Sequence, residues 1–237
     1  MKKIIMLLML LILSPKLWAT DVVYIGTHAE FAPFEYFVKD EIVGFDIDLL
    51  EAISKDTGIK FKVVDMSFEG LLPALYSKKV DLVVAGMTMT EERKKSVLFS
   101  DPYFKAKQVV ITKGENEKIK AIDDLIGKKV GVVLGYTGDT IASGIEGIKL
   151  KKFNAAYSAI LALLSEKIDA VILDSEPAKH FVEKNKGLYI NDISALEEDY
   201  AIAGRKNEKE LMEKINGALI KIRNSGEYDK LLEKHFK

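Results

Sequence analysis

The 237-residue chain has no cysteine, one tryptophan, three histidines and five prolines, and its 35 basic residues nearly balance 36 acidic ones. Without cysteine there is no disulfide framework, no thiol chemistry and no lipid-bearing cysteine. The histidines, His28, His180 and His235, stand far apart without ligand spacing, so no zinc or other metal site is expected. A formal net charge of −1 supplies no basic surface for a phosphate backbone, and no nucleic-acid partner is expected. No apolar run reaches the roughly 20 residues that a membrane span takes. No G-x-S-x-G elbow is present, and Gly131, Gly135 and Gly138 mimic a phosphate loop without the Gly-Lys-Ser/Thr that would complete it. Neither catalysis nor a cofactor is announced. With 48% hydrophobic and 30% charged residues, the composition is that of an ordinary globular chain.

The start departs from that average. Met1, Lys2 and Lys3 precede the unbroken apolar run Ile4–Leu13, and Ser14-Pro15-Lys16-Leu17-Trp18-Ala19 follows. A positive n-region, a short apolar core and a small residue after it read as a secretory signal over residues 1–19, with a retained anchor as the alternative. Its removal takes away Lys2, Lys3 and Lys16, which moves the net charge from −1 to −4. The expected location is a periplasm, in solution and untethered.

Hydrophobic period then organises the chain. Val22–Gly26 reads as a strand, and Asp46 as the cap of a helix carrying Leu49, Leu50 and Ile53 that Gly58 ends. Lys60–Asp65 is a strand, Glu69–Ser77 a helix and Val80–Ala85 a strand. The order recurs as strand Lys129–Leu134, a helix near Asp139–Ser143, strand Lys149–Phe153, helix Ala156–Ser165 and strand Asp169–Leu173. Residues Ala74–Val84 nearly repeat in Ala162–Ile172, at an offset of 88. Two lobes of one design account for this; the general likeness of helix–turn–strand units is the alternative. Alternating strands and helices predict parallel pairing, with ligands held beyond the carboxyl ends of strands, here Ala85-Gly86 and Leu173-Asp174. The tail Asn207–Lys237 reads as helical with a stripe of Leu211, Ile215, Leu219 and Ile222, divided at Gly226. Asp101–Phe104 and Leu196–Tyr200 are the candidate crossings between lobes.

Against this frame stand Ala85-Gly86-Met87-Thr88-Met89-Thr90-Glu91-Glu92-Arg93-Lys94-Lys95 and Phe99-Ser100-Asp101-Pro102-Tyr103, together with Gly26-Thr27, Pro33-Phe34-Glu35, Gly44–Leu49, Phe68–Leu75, Val130–Val132 with Gly135, Asp169-Ala170-Val171 with Asp174, and Gly226–Leu231. In order and over essentially the whole mature chain, they resemble the polar amino-acid-binding proteins of ABC importers. The resemblance implies a two-lobe, type II periplasmic binding protein fold, each lobe a mostly parallel α/β sheet flanked by helices, with two hinge strands. The implied lobes are 20–103 with 201–237, and 104–200.

A free amino acid carries a carboxylate and an ammonium, and each needs a fixed partner once water is excluded. Arg93 has the planar fork suited to a carboxylate, although in the run Glu91–Lys95 it also reads as a surface arginine. Asp174 follows an apolar strand, where a carboxylate also serves as a helix cap. By resemblance Asp174 holds the ligand ammonium with the Gly86 carbonyl and the Thr88 hydroxyl, beside Met87. The backbone N–H of Thr137 meets the carboxylate at a helix start next to Tyr136, and Phe31 and Phe68 sandwich the ligand side chain. Two positions depart from the family: His28 where many relatives have aspartate, leaving Glu30 as the nearest acid, and Val133 where relatives carry glutamine or lysine.

The function expected is capture of a free, polar or basic L-amino acid by a monomer and its delivery to a membrane permease. A dehydratase on the same scaffold, with Glu30, His28 or Glu176 as general acid, and a receptor-docking sensor are the rival readings.

Overall fold

A computed structural model describes residues 22–114, 119–191, 193 and 197–237. The expected signal segment and the residue Leu196 of the second crossing lie outside the described residues.

Two sheets form the frame. The first has the order Phe61–Asp65, Val23–Thr27, Leu82–Val83, Ala203–Gly204, Leu98–Phe99. The second has the order Lys149–Phe153, Lys129–Val133, Ala170–Asp174, Phe104–Lys113, Leu188–Asn191, and Glu197–Tyr200 also pairs with Phe104–Lys113. The expected parallel pairing is present in one half of each sheet, where helices carry the chain between strands. The other half is antiparallel. It is built from segments that enter from or return to the opposite lobe, and such segments need no crossover helix.

The near-repeat has a structural counterpart. Helix Phe68–Tyr76 turns through Lys78, at φ 61°, into strand Leu82–Val83; helix Ala156–Leu164 turns through Glu166, at φ 57°, into strand Ala170–Asp174. Asp81 accepts from the Tyr24 N–H at 3.0 Å, and Asp169 accepts from the Lys129 N–H at 2.7 Å. Each aspartate thereby ties its turn to the neighbouring parallel strand.

One helix starts differently from the expectation. Helix Phe45–Thr57 is preceded by Gly44, not capped by Asp46. Gly44 holds φ +135°, and a Cβ there would lie 2.1 Å from the Phe34 carbonyl oxygen. Asp46 lies in the first turn, wholly buried, and accepts from the Tyr103 hydroxyl at 2.7 Å and the Gly86 N–H at 3.1 Å. Gly58 ends the helix at φ +73°, as expected. A three-stranded antiparallel sheet, Glu30–Phe31, Glu35–Val38 and Glu41–Val43, fills the interval before it.

The tail forms helices Lys209–Asn224 and Glu227–Phe236 on either side of Gly226. Ile215, Leu219 and Ile222 are buried against the first lobe together with Met212 and Ala218. Each large apolar side chain contributes about 1.5–3 kcal/mol when buried. The chain crosses between lobes twice, and the crossings lie side by side, with Phe104 opposite Tyr200 and Ala106 opposite Glu198. Phe236 packs on Phe104 at 4.9 Å between ring centres, and Phe34 meets Phe104 at 4.8 Å, so an aromatic cluster braces the crossing. Among the described residues, no helix is long and apolar enough to cross a membrane.

Candidate functional site

A small pocket lies between the lobes, lined by Phe31, Phe68, Gly86, Thr88, Arg93, Tyr136, Thr137 and Asp174. It sits beyond the carboxyl ends of the strands that lead to Gly86 and Asp174. Eight of the ten residues singled out in the sequence meet there. A larger and more open hollow, lined by Lys113, Lys128, Glu166, Asp169 and Tyr189, contains none of those ten residues.

Arg93 reaches the cavity because Thr90 caps the single helical turn Glu91–Lys94, its side-chain oxygen accepting from the Arg93 N–H at 3.2 Å. Its neighbours in that run are exposed, whereas Arg93 turns inward. The guanidinium donates to the Thr88 carbonyl at 2.8 Å and, across the cleft, to the Gly135 carbonyl at 2.9 Å, and it lies 5.3 Å over the Phe68 ring. Burial lowers its pKa, and the charges of Glu198 and Asp174 oppose that shift.

Asp174 occupies the cap position of helix Ser175–Lys184 but makes no capping bond. Its carboxylate accepts instead from the Tyr200 hydroxyl at 2.6 Å. Burial, and then the charge of Glu198, raise its pKa to about 7; bonds from Tyr200 and Gln108 act the other way. A cation arriving here would relieve a carboxylate short of positive partners.

The aromatic wall closes across the cleft. Tyr136 of the second lobe meets Phe68 at 4.5 Å, Phe31 at 5.4 Å and His28 at 6.3 Å between ring centres. Gly86 is required behind this wall: at φ +52°, a Cβ would stand 2.4 Å from the Phe31 ring. Thr137 opens the short helix Thr137–Ser143, and its hydroxyl accepts from Gln108 Nε2 at 3.0 Å.

Two of the ten residues lie off the lining. The Met87 side chain is in the hydrophobic core, and its carbonyl accepts from the Ala201 N–H at 3.1 Å, so Met87 ties the crossing to the first lobe. Glu30 is exposed at the rim, where the strand Glu30–Phe31 lies against helix Ala156–Leu164 of the second lobe, and its charge acts on the Tyr136 hydroxyl. His28 is buried with Nδ1 3.1 Å from the Met66 carbonyl oxygen, and Val133 is buried in strand Lys129–Val133.

Sequence reasoning missed Gln108, Glu198 and Tyr200, which hydrogen-bond to the lining residues Thr137, Thr88 and Asp174 from behind. Gln108 carried a signal, one amide heading the apolar run Val109–Ile111. Glu198 carried none, because Glu197-Glu198-Asp199 reads as a solvated acidic stretch. Among the described residues, no group of three or more His, Cys, Asp and Glu is disposed to hold a metal ion.

Two α/β lobes joined by paired strands, with an arginine, an aspartate and aromatic rings converging on one pocket between them, define a two-lobed ligand-binding protein. The chain belongs to the bacterial extracellular solute-binding proteins, family 3, whose profile matches residues 23–237. It is 40% identical over 217 residues to the arginine-binding extracellular protein ArtP of Bacillus subtilis, covering 89% of this chain and 84% of that protein. An ancestral arginine-binding protein solved with arginine superposes with a TM-score of 0.87 at 45% identity, covering 91% of this chain and 98% of the other. A structure of an ancestral arginine-binding protein with glutamine bound gives 0.86 at 46% identity, covering 91% and 97%.

Proposed function

We propose that the protein captures a free polar or basic L-amino acid between its lobes and delivers it to the permease of an ABC transporter. The observation that carries this reading is the meeting of Arg93, Thr88 and Asp174 in one interlobe pocket with Phe31, Phe68 and Tyr136. Arg93 takes the ligand carboxylate with the Thr137 backbone; Asp174, the Thr88 hydroxyl and the Gly86 carbonyl take the ammonium; the rings flank the side chain. Tyr136 carries the second lobe's share of the wall. Relatives that bind arginine, and one solved with glutamine, support a basic or polar side chain. Glu30 acts on it from the rim as a charge, not as a lining contact.

The lobes divide as 20–103 with 201–237 and 104–200, and the paired crossings act as the hinge. Export through a cleaved segment over residues 1–19 into a periplasm, and action as a monomer, belong to the same proposal. Binding is favoured over a dehydratase activity because the candidate acids are engaged or distant. Glu30 is exposed, the His28 ring lies against the Met66 carbonyl, and Glu176 pairs with Lys179 at 2.8 Å beside a different hollow.

The test is a thermal-shift screen of the twenty amino acids on protein freed of carried-over ligand. A ligand with a dissociation constant of about 1 µM, at about 1 mM, stabilises by roughly 4 kcal/mol and raises the melting temperature by several degrees. No shift with any of them would sink the amino-acid reading, and turnover of prephenate in an ultraviolet assay would install the enzyme in its place.

A further inference from the structure

We infer that Glu198, on the second crossing strand, is a positioning residue for specificity: it fixes the Thr88 hydroxyl as an acceptor and so selects a ligand ammonium. The inference rests on the amino-acid reading above and assigns a role to a residue that no motif marks.

Glu198 Oε2 accepts from Thr88 Oγ1 at 2.8 Å and from Gln108 Nε2 at 3.1 Å. A hydroxyl has one hydrogen and two lone pairs. With that hydrogen committed to Glu198, only lone pairs of Thr88 remain for the cavity. Asp174 opposite is an acceptor while ionised. This end of the site therefore offers acceptors alone, which matches an ammonium with three hydrogens and mismatches a hydroxyl with one. Leaving buried acceptors unpaired is what makes such a mismatch costly.

Gln108 locks the arrangement. It is buried, and its Nε2 donates to both Glu198 Oε2 and Thr137 Oγ1, so a chain of bonds runs from Thr88 in the first lobe through the crossing strand to Thr137 in the second. Because both of its partners are donors, the Glu198 carboxylate has no need to rotate. It also adds a second negative charge beside Asp174, and of the neighbouring charges it acts most strongly on both Arg93 and Asp174. A cation between the two carboxylates relieves their repulsion, and a neutral group does not.

Glu198→Gln and Glu198→Met separate the components. Glutamine keeps an oxygen that accepts from Thr88 and Gln108 but removes the charge; methionine, of similar size, removes both. The probes are the best bound of L-arginine, L-histidine and L-glutamine, and the 2-hydroxy acid with the same side chain, each titrated by calorimetry. In Glu198→Met the amino acid should weaken by more than about tenfold and in Glu198→Gln by less, while the hydroxy acid changes by under about threefold in both. Parallel weakening of amino acid and hydroxy acid would make Glu198 a structural tie only, and unchanged amino-acid affinity in both variants would remove it from the site. Where the hydroxy acid binds too weakly to titrate, the ligand-free melting temperature decides. Lost amino-acid affinity at an unchanged melting temperature supports the inference, and loss of both overturns it. If wild-type protein binds none of the three amino acids, the failure belongs to the amino-acid reading and not to Glu198.

Discussion

At the scale of single residues, the two charged groups carry the sharpest expectations. Arg93→Ala and Asp174→Ala each strip a desolvated ligand charge of its partner, and each is expected to cost about 2–5 kcal/mol of affinity by isothermal calorimetry. An affinity equal to wild type in either variant would mean that the ligand sits elsewhere. Asp174 adds a pH dependence with a definite sign. Its pKa rises from 3.8 to about 7 in the folded protein, so below that pH the ligand-free site holds a proton that a bound ammonium displaces. Affinity should therefore climb as pH rises from 5 to 8, and protons should be released on binding below pH 7, read from calorimetry in buffers of different ionisation enthalpy. Arg93 and Asp174 were legible because a motif surrounds each of them. Glu198 was not, because its meaning comes from the pairing of Thr88 with Tyr200, more than 100 residues apart in sequence, which brings Glu198 to the Thr88 hydroxyl.

Among the elements, the ones whose limits could be read are those with local punctuation. Gly58 and Gly226 stop and divide helices where the sequence said they would, and the strand Lys149–Phe153 has the limits read for it. The small sheet over Glu30–Val43 was invisible because its strands run two to four residues, too short for alternation to register. Asp46 misled for a related reason: an acid near a helix start looks like a cap, whereas here the backbone of Gly44 makes the turn and Asp46 is drawn inward by Tyr103 and Gly86. Gly44→Ala tests that account. A Cβ would collide with the backbone of Phe34, which no rotamer change relieves, so a loss above about 3 kcal/mol, or failure to fold, is expected in chemical denaturation. Lys78→Gly works in the opposite direction, since a lysine at φ 61° carries a left-handed strain that glycine lacks; a gain of about 0.5–1 kcal/mol is expected. An unchanged unfolding midpoint would show that the turn holds no such strain.

For the molecule as a whole, the buried carboxyls set how stability responds to pH. Glu35 is fully buried, and desolvation, followed by the charge of Asp46, holds its pKa well above 4.5. The folded state thus binds this proton more tightly than the unfolded state, and stability contributed by the protonated group is lost as pH rises above 4.5 toward the raised value. The difference in melting temperature between pH 5 and pH 8 should accordingly shrink in Glu35→Gln, and an identical difference in both proteins would acquit Glu35. The two-lobe plan was readable from the near-repeat, because each copy is a local unit with its own tying aspartate. What the repeat could not convey is that one lobe borrows from the far end of the chain. Strand Ala203–Gly204 lies between Leu82–Val83 and Leu98–Phe99, and among the described residues it is the strand through which Leu98–Phe99 joins its sheet. During synthesis, the strands of the second sheet up to Asn191 are complete before that keystone emerges from the ribosome. The first sheet has to wait for it. A chain that cannot finish its first lobe until about its last seventh is being made stays incompletely folded for most of its translation, the condition in which a polypeptide can still be threaded through a narrow channel.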